Sequence, residues 1–321
     1  MADTFNYRID HHGSLVRPND LATVGVEQAV QDAVAYQRKL RSTVVTDGDY
    51  PREDFRSAVL DGVSGFRRTD ETEPDGLARW VAESLPKADG PLVTDWAEKL
   101  AALTVIAPKV ALPSPAYLAA TTYRPGLGPS SARELGEALA EIIRTETERL
   151  VTKGVRLIQL NNPLLLDGSL DDDLLAVDAE AVRLDDRPEG VRIAVCPGWR
   201  APDEVDPSQL EALYEKIPAD RWILPFDQGT EAESTLLRAL PDDRDFCLGV
   251  VDATNPALES IDTVMQRLDT AAEFKDLEDG AVSPSRGFAD VATRPLLTAE
   301  QQRTKLVLVE TIARYVWGNE F

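Results

Sequence analysis

The chain has 321 residues, 43% hydrophobic and 28% charged, enough apolar material to bury a large core and too much for a disordered chain. With 34 basic against 56 acidic residues and a formal charge of -22, it lacks the dense positive footprint that nucleic-acid binding requires. No run approaches the roughly 18 apolar residues of a membrane span.

The opening MADTFNYRIDHHGS has no basic segment followed by an apolar one, as an export signal would. Cys196 and Cys247 are too few for a disulfide framework and suit a reducing compartment. The expectation is an acidic cytoplasmic protein acting on a small molecule, with neither nucleic acid nor membrane as partner and homo-oligomerisation left open.

Strands are predicted at 7–9, 43–46, 104–110, 155–160, 191–195, 222–226, 246–251 and 281–282. Most are unbroken β-branched and aliphatic runs, the pattern of parallel strands covered on both faces. Between them apolar residues recur every three or four positions: Val26, Val30, Ala33 and Tyr36; Leu135, Leu139, Ile142 and Leu150; Leu258, Ile261, Met265 and Leu268; Leu306, Val309, Ile312 and Val316. Those are helices that pack one face onto a sheet. Eight strands alternating with helices predict one (β/α)₈ TIM barrel filling residues 1–321, and an open doubly wound sheet is the second choice. Two connections are elaborated. Residues 50–103 follow the second strand and carry an RRTDETEPDG loop, and residues 161–190 follow the fourth and are acidic.

In a barrel, polar residues at the strand carboxyl ends converge, and every predicted end supplies some. They are His11, His12, Gly13, Ser14 and Arg17; Asp47, Asp49 and Arg52; Lys109 and Ser114; Gln159, Asn161 and Asn162; Cys196; Asp227 and Gln228; Asp252, Thr254 and Asn255; Ser283, Ser285 and Arg286. His11 and His12 are the only histidines, and neighbours on an extended segment point to opposite sides, so one faces the site. Cys196 reads equally as nucleophile, ligand or packing, and Cys247 as core. Asp49 with Arg52 reads as a site pair or a surface ion pair. Arg286 reads as a structural clamp or as a rigid guanidinium suited to a carboxylate or phosphate. Arg17, Arg52 and Arg286 together would make a positive mouth for an anionic substrate.

In order along the chain, DHHGSLVRP, VVTDGDYPREDF, ALPSP, IQLNNP, VCPGW, CLGVVDATNPALES and VSPSRGF resemble the C-terminal catalytic barrel of cobalamin-independent methionine synthase, in its short single-barrel branch. The wider superfamily includes uroporphyrinogen decarboxylase. The resemblance implies a zinc ion that activates a thiol for methylation by a methyltetrahydrofolate. Its ligand positions fall on Ala194, Cys196, Asp227 and Arg286, a degenerate set for which zinc is not expected; His12 with Cys196 and Asp227 is the one conceivable remnant. The position that holds a substrate amino group falls on Asn161 and the acid-site histidine on Thr254, beside a retained Asp252. Gly13 and Ser14 keep the carboxylate contact, and Asp49 keeps an acidic residue.

The first functional expectation is therefore methyl or related one-carbon transfer to a small carboxylate-bearing substrate. Its catalytic candidates are His12, Asp49, Cys196, Asp227, Asp252 and Arg286. His11, Gly13, Ser14, Arg17, Arg52, Lys109, Gln159, Asn161 and Thr254 are the binding candidates. The alternatives are a metal-independent lyase, decarboxylase or hydrolase using Arg286, His12, Asp49 and Cys196, and a non-catalytic metabolite-binding homologue.

Overall fold

A computed structural model describes residues 7–318. Its principal sheet has seven parallel strands: Val44–Val45, Ala107–Pro113, Leu157–Asn161, Arg192–Cys196, Arg221–Pro225, Asp245–Val251 and Gly280–Pro284, each paired with the next in that order. The sheet is open, which corrects the expected closed eight-stranded barrel. The predicted first strand at 7–9 makes only an isolated parallel bridge, Ile9 to Val282. Toward the Val44–Val45 edge, Ile9 meets the Thr43 side chain, donating its N–H to Oγ1 at 2.8 Å. The physical reason is that this segment gives its backbone to side chains and to a single neighbour, so no ladder closes the circle.

Register places the site. Pro113, Asn161 and Cys196 lie side by side at the carboxyl ends of three strands, with Ala111, Gln159 and Ala194 one pleat below. Along the concave face Ala194, Cys196, Ile223, Cys247 and Ala281 form a small buried cluster, and their modest size leaves room above them.

The helical periods appear as Val26–Lys39, Ala132–Thr152, Ile261–Ala272 and Ala299–Trp317. Two positions differ from the reading: Ile143 rather than Ile142 is buried, and Leu258 is exposed ahead of its helix.

The 50–103 connection holds an antiparallel hairpin, Val63–Thr72 with Ala78–Ala88. Most of the supposed RRTDETEPDG loop is therefore strand, and only its last residues turn. The hairpin's Asp75 and Leu77 reach the cavity described below. The acidic 161–190 connection instead forms the helix Asp172–Ala181. There Asp178 is buried and accepts from the Asn162 side chain at 2.6 Å and from the Ala116 N–H at 3.0 Å.

The helix Thr94–Leu103 has no side-chain cap of its own. Glu146, fully buried on Ala132–Thr152, supplies one: its Oε1 accepts from the Val93 and Thr94 N–H groups at 2.8 Å and from the Thr94 hydroxyl at 2.7 Å. Removing it strands buried donors. Glu146→Ala should cost about 2–4 kcal/mol in urea unfolding, and Glu146→Gln, which keeps an accepting oxygen, clearly less. Equal losses would show that packing, not capping, is what Glu146 supplies.

Candidate functional site

A cavity of about 250 Å³ opens at the strand carboxyl ends. The first segment brings His12, Ser14 and Arg17 to it, the turn after Val44–Val45 brings Asp49 and Arg52, and Leu157–Asn161 brings Gln159 and Asn161. Arg286 arrives after the last sheet strand. Two close approaches require glycine. A Cβ on Gly13, whose φ is 143°, would stand 2.8 Å from the Asp49 Oδ2, and one on Gly287 would collide with the Ser14 hydroxyl.

The arginines are committed to partners. Arg52, buried, holds Asp47 through two hydrogen bonds of 3.0 and 2.8 Å and Asp49 through one of 2.8 Å. This pair is not a surface one: Arg52 is buried and Asp49 largely so. Burial pushes the Asp49 carboxyl up to about 6, with Asp47 adding to the rise and Arg52 opposing it. Arg17 donates to the Asp49 carbonyl at 2.7 Å and to that of Arg52. Arg286 pairs with Asp290 and lies 4.5 Å over the Trp199 ring. Glu53 and Asp54, also on the wall, pair with Arg68 and Arg56. The mouth is thus a set of compensated charges instead of the net positive patch expected.

Beneath lies a buried floor. Lys109 sits well inside its strand, fully buried, with Nζ 2.7 Å from Asp10; Arg221 approaches the other Asp10 oxygen at 3.7 Å. Lys109 therefore supports the floor and does not line the cavity. Burial disfavours the Asp10 charge, but these two cations more than offset it and hold the carboxyl below its ordinary range. His11 turns away, its Nε2 2.8 Å from the Ser42 hydroxyl. His12 faces the cavity, and its Nδ1 is 3.9 Å from the Cys196 sulfur. Burial drives His11 down to about 4 and His12 to about 3, so both are neutral at pH 7. Burial likewise raises the Cys196 thiol to about 11, a protonated sulfur, not a primed nucleophile. The two arginines near Cys196 in the sequence do not activate it: Arg192 bonds Asp245 at 3.1 Å and Arg200 lines a second cavity.

That second cavity, about 310 Å³, holds Asp227, Asp252 and Thr254 and shares Trp199 and Arg286 with the first. Burial raises Asp227 to about 6, with Asp252 contributing, and Asp227 accepts from the Gln228 amide at 2.9 Å. Thr254 is exposed and donates its hydroxyl to Asp252 at 2.7 Å. Sequence reasoning did not select Trp199 or Asp290. The signals were the PGW turn after a strand and a carboxylate four residues beyond Arg286.

The donor set does not fit a zinc ion. Ala194 offers no ligand atom, Arg286 is a cation, Cys196 is a buried thiol, and Asp227 stands in the other cavity. Among the described residues no group of three His, Cys, Asp or Glu side chains is arranged to hold a metal, the trio His12, Cys196 and Asp227 included. The same residues hold no disulfide: both cysteines are free and buried. No helix among them is long and apolar enough to cross a membrane.

Residues 17–308 match the family described as cobalamin-independent synthase, catalytic domain. The uncharacterized protein YxjH of Bacillus subtilis (strain 168) is 24% identical, across 97% of this chain and 95% of its own. The 5-methyltetrahydropteroyltriglutamate–homocysteine methyltransferase of Aliivibrio fischeri (strain MJ11) is 23% identical over 81% of this chain, a match spanning 34% of that longer protein. A B12-independent methionine synthase from Shewanella sp. W3-18-1, solved in complex with selenomethionine, shares the fold with a TM-score of 0.79, 18% identity and 97% coverage of both chains. On the family match, which runs through every strand of the sheet, the chain belongs to the cobalamin-independent synthase catalytic-domain family.

Proposed function

We propose that this protein transfers a methyl or related one-carbon group from a folate-type donor to a small carboxylate-bearing acceptor, by a route that does not use the family's zinc ligands. The observation that carries this reading is the wall of Trp199 and Arg286 common to two cavities. A transfer needs two substrates side by side, whereas a lyase, decarboxylase or hydrolase needs one. The acceptor's carboxylate lies against Arg286 and the Ser14 hydroxyl in the first cavity. The second takes the methyl-bearing ring of a donor of the kind named in the Aliivibrio relative, with Asp227 accepting from its N–H groups. The substrates meet where the Trp199 ring swings aside, with Arg286 still on the acceptor's carboxylate.

In the reaction a bond forms between the acceptor atom X and the methyl carbon as the donor's N–CH₃ bond breaks. The X–H proton passes to His12 Nε2, and the leaving nitrogen takes up a proton from solvent. Lys109 and Arg286 both add to the fields that keep His12 neutral. A carboxylate on Arg286 cancels one of them and makes Nε2 a better proton acceptor.

The division of labour is measurable in steady-state kinetics. Asp227→Asn should raise KM for the methyl donor about tenfold and leave the acceptor's unchanged, while Arg286→Ala should lower kcat/KM about a hundredfold for both substrates. An Asp227→Asn effect confined to the acceptor would contradict the assignment.

Neutral His12 also ties stability to pH. Its folded pKa of about 3 lies below the unfolded 6.5, so the unfolded chain binds the proton first and His12 costs stability progressively as pH falls from 6.5 toward 3. Relative to wild type, His12→Gln should gain stability over that window, by up to about 1.4 kcal/mol per pH unit. Denaturation curves whose separation is constant from pH 7 to 4 would show that His12 is not held neutral.

A further inference from the structure

The hydrogen bonds of the floor leave its polarity with one solution. Gln159 is fully buried, and its side-chain nitrogen lies 3.2 Å from the His12 carbonyl. A carbonyl only accepts, so that end of the amide must be the NH₂. The same nitrogen is 2.7 Å from the Asn161 side chain, which must therefore turn its oxygen, Oδ1, toward it. Asn161 is thus fixed with its NH₂ as the part left for the cavity, and that group has no protein partner among the described residues. The Gln159 Oε1, by the same logic, is a buried acceptor with nothing to accept from.

His12 follows a parallel chain. The Cys196 thiol donates to the Gly198 carbonyl at 3.6 Å, so its sulfur presents a lone pair to His12 Nδ1 at 3.9 Å. The imidazole proton then sits on Nδ1, and Nε2 is a second buried acceptor without a partner. His12, Gln159 and Asn161 all line a single cavity; the two unpaired acceptor atoms themselves have almost no accessible surface, and an unmet buried polar atom is costly until a ligand meets it.

We propose that the acceptor substrate is an acid without a free ammonium group: a hydroxy acid, a mercapto acid or an N-acylated amino acid, whose neutral X–H is read by Gln159 Oε1 and His12 Nε2 and whose oxygen is read by the Asn161 amide. This deepens the assignment of the first cavity to the acceptor and rests on it. An ammonium there would face the Asn161 NH₂, a donor that repels it, with the Lys109 and Arg286 charges nearby. Most carboxylates around it already hold cations: Asp10 holds Lys109 and Arg221, Asp49 holds Arg52, Glu53 holds Arg68, Asp54 holds Arg56, and Asp290 holds Arg286 and Arg294. Asp75, which pairs with no cation among the described residues, is an exposed residue of the hairpin turn.

Calorimetric titration of the purified protein with three matched four-carbon acids, one carrying a 2-hydroxyl, one a 2-ammonium and one an N-acetylated amine, tests this without any turnover. The hydroxy or the acetylated acid should bind at least about tenfold more tightly than the amino acid, the scale on which sites with fixed hydrogen-bonding groups discriminate. Asn161→Asp, nearly isosteric, should reverse the order. Gln159→Leu, which frees Asn161 to turn over, should shrink the preference below about threefold. Tighter binding of the amino acid by the wild type, an order unchanged in Asn161→Asp, or no binding of any of the three at millimolar concentration would each overturn the proposal. A preference seen in a protein that transfers no methyl group would leave this inference standing and remove the transfer reading instead.

Discussion

One buried ion pair organises the site. The segment that delivers His11, His12, Gly13 and Ser14 belongs to no strand ladder and meets the sheet through the single Ile9–Val282 bridge. What fixes it inside the curve is Asp10, almost wholly buried, with Lys109 at 2.7 Å, Arg221 at 3.7 Å and the His11 N–H at 2.6 Å. Two cations around one carboxylate offset the desolvation that each would otherwise suffer. Lys109 also helps keep His12 neutral, more than Asp10 opposes it.

The same economy of charge governs the mouth. In a chain with 22 more acidic than basic residues, each guanidinium facing the cavity has found a carboxylate or a carbonyl, and each wall acid except Asp75 has found an arginine. Specificity then rests less on net charge than on the few polar atoms left without partners. Where the family resemblance calls for metal ligands, this chain has Ala194, a buried thiol, an aspartate turned into a neighbouring cavity, and Arg286 against Trp199. In the reaction proposed above, His12 and Arg286 would stand in for metal-assisted activation.

Much of this was legible in the sequence because parallel strands announce themselves. Runs such as RIAVC and DFCLGVV have no polar face, and the polar residues that follow them fall at one rim. Ser14, Asp49, Arg52, Asn161 and Arg286 accordingly meet in a single cavity. Other features depended on partners distant in the chain. Lys109 looks like a strand-end cation until Asp10 is found beside it. The hairpin strand VSGFRRTDET carries the charges and turn formers of a loop and becomes a strand through pairing with Ala78–Ala88. Closure of the sheet could not be counted from strand candidates, because whether residues 7–9 form a ladder is decided by which neighbours take their hydrogen bonds.

Transfer of a one-carbon group between two substrates that share the Trp199–Arg286 wall can be followed directly. The protein is incubated with a reduced folate carrying a ¹³C-methyl group and a small carboxylate-bearing acceptor, and the label is followed by NMR. The methyl resonance should leave nitrogen and reappear on the acceptor, one equivalent for each equivalent of demethylated folate. Consumption of the acceptor with the label still on the folate, as a lyase or hydrolase would give, would contradict it.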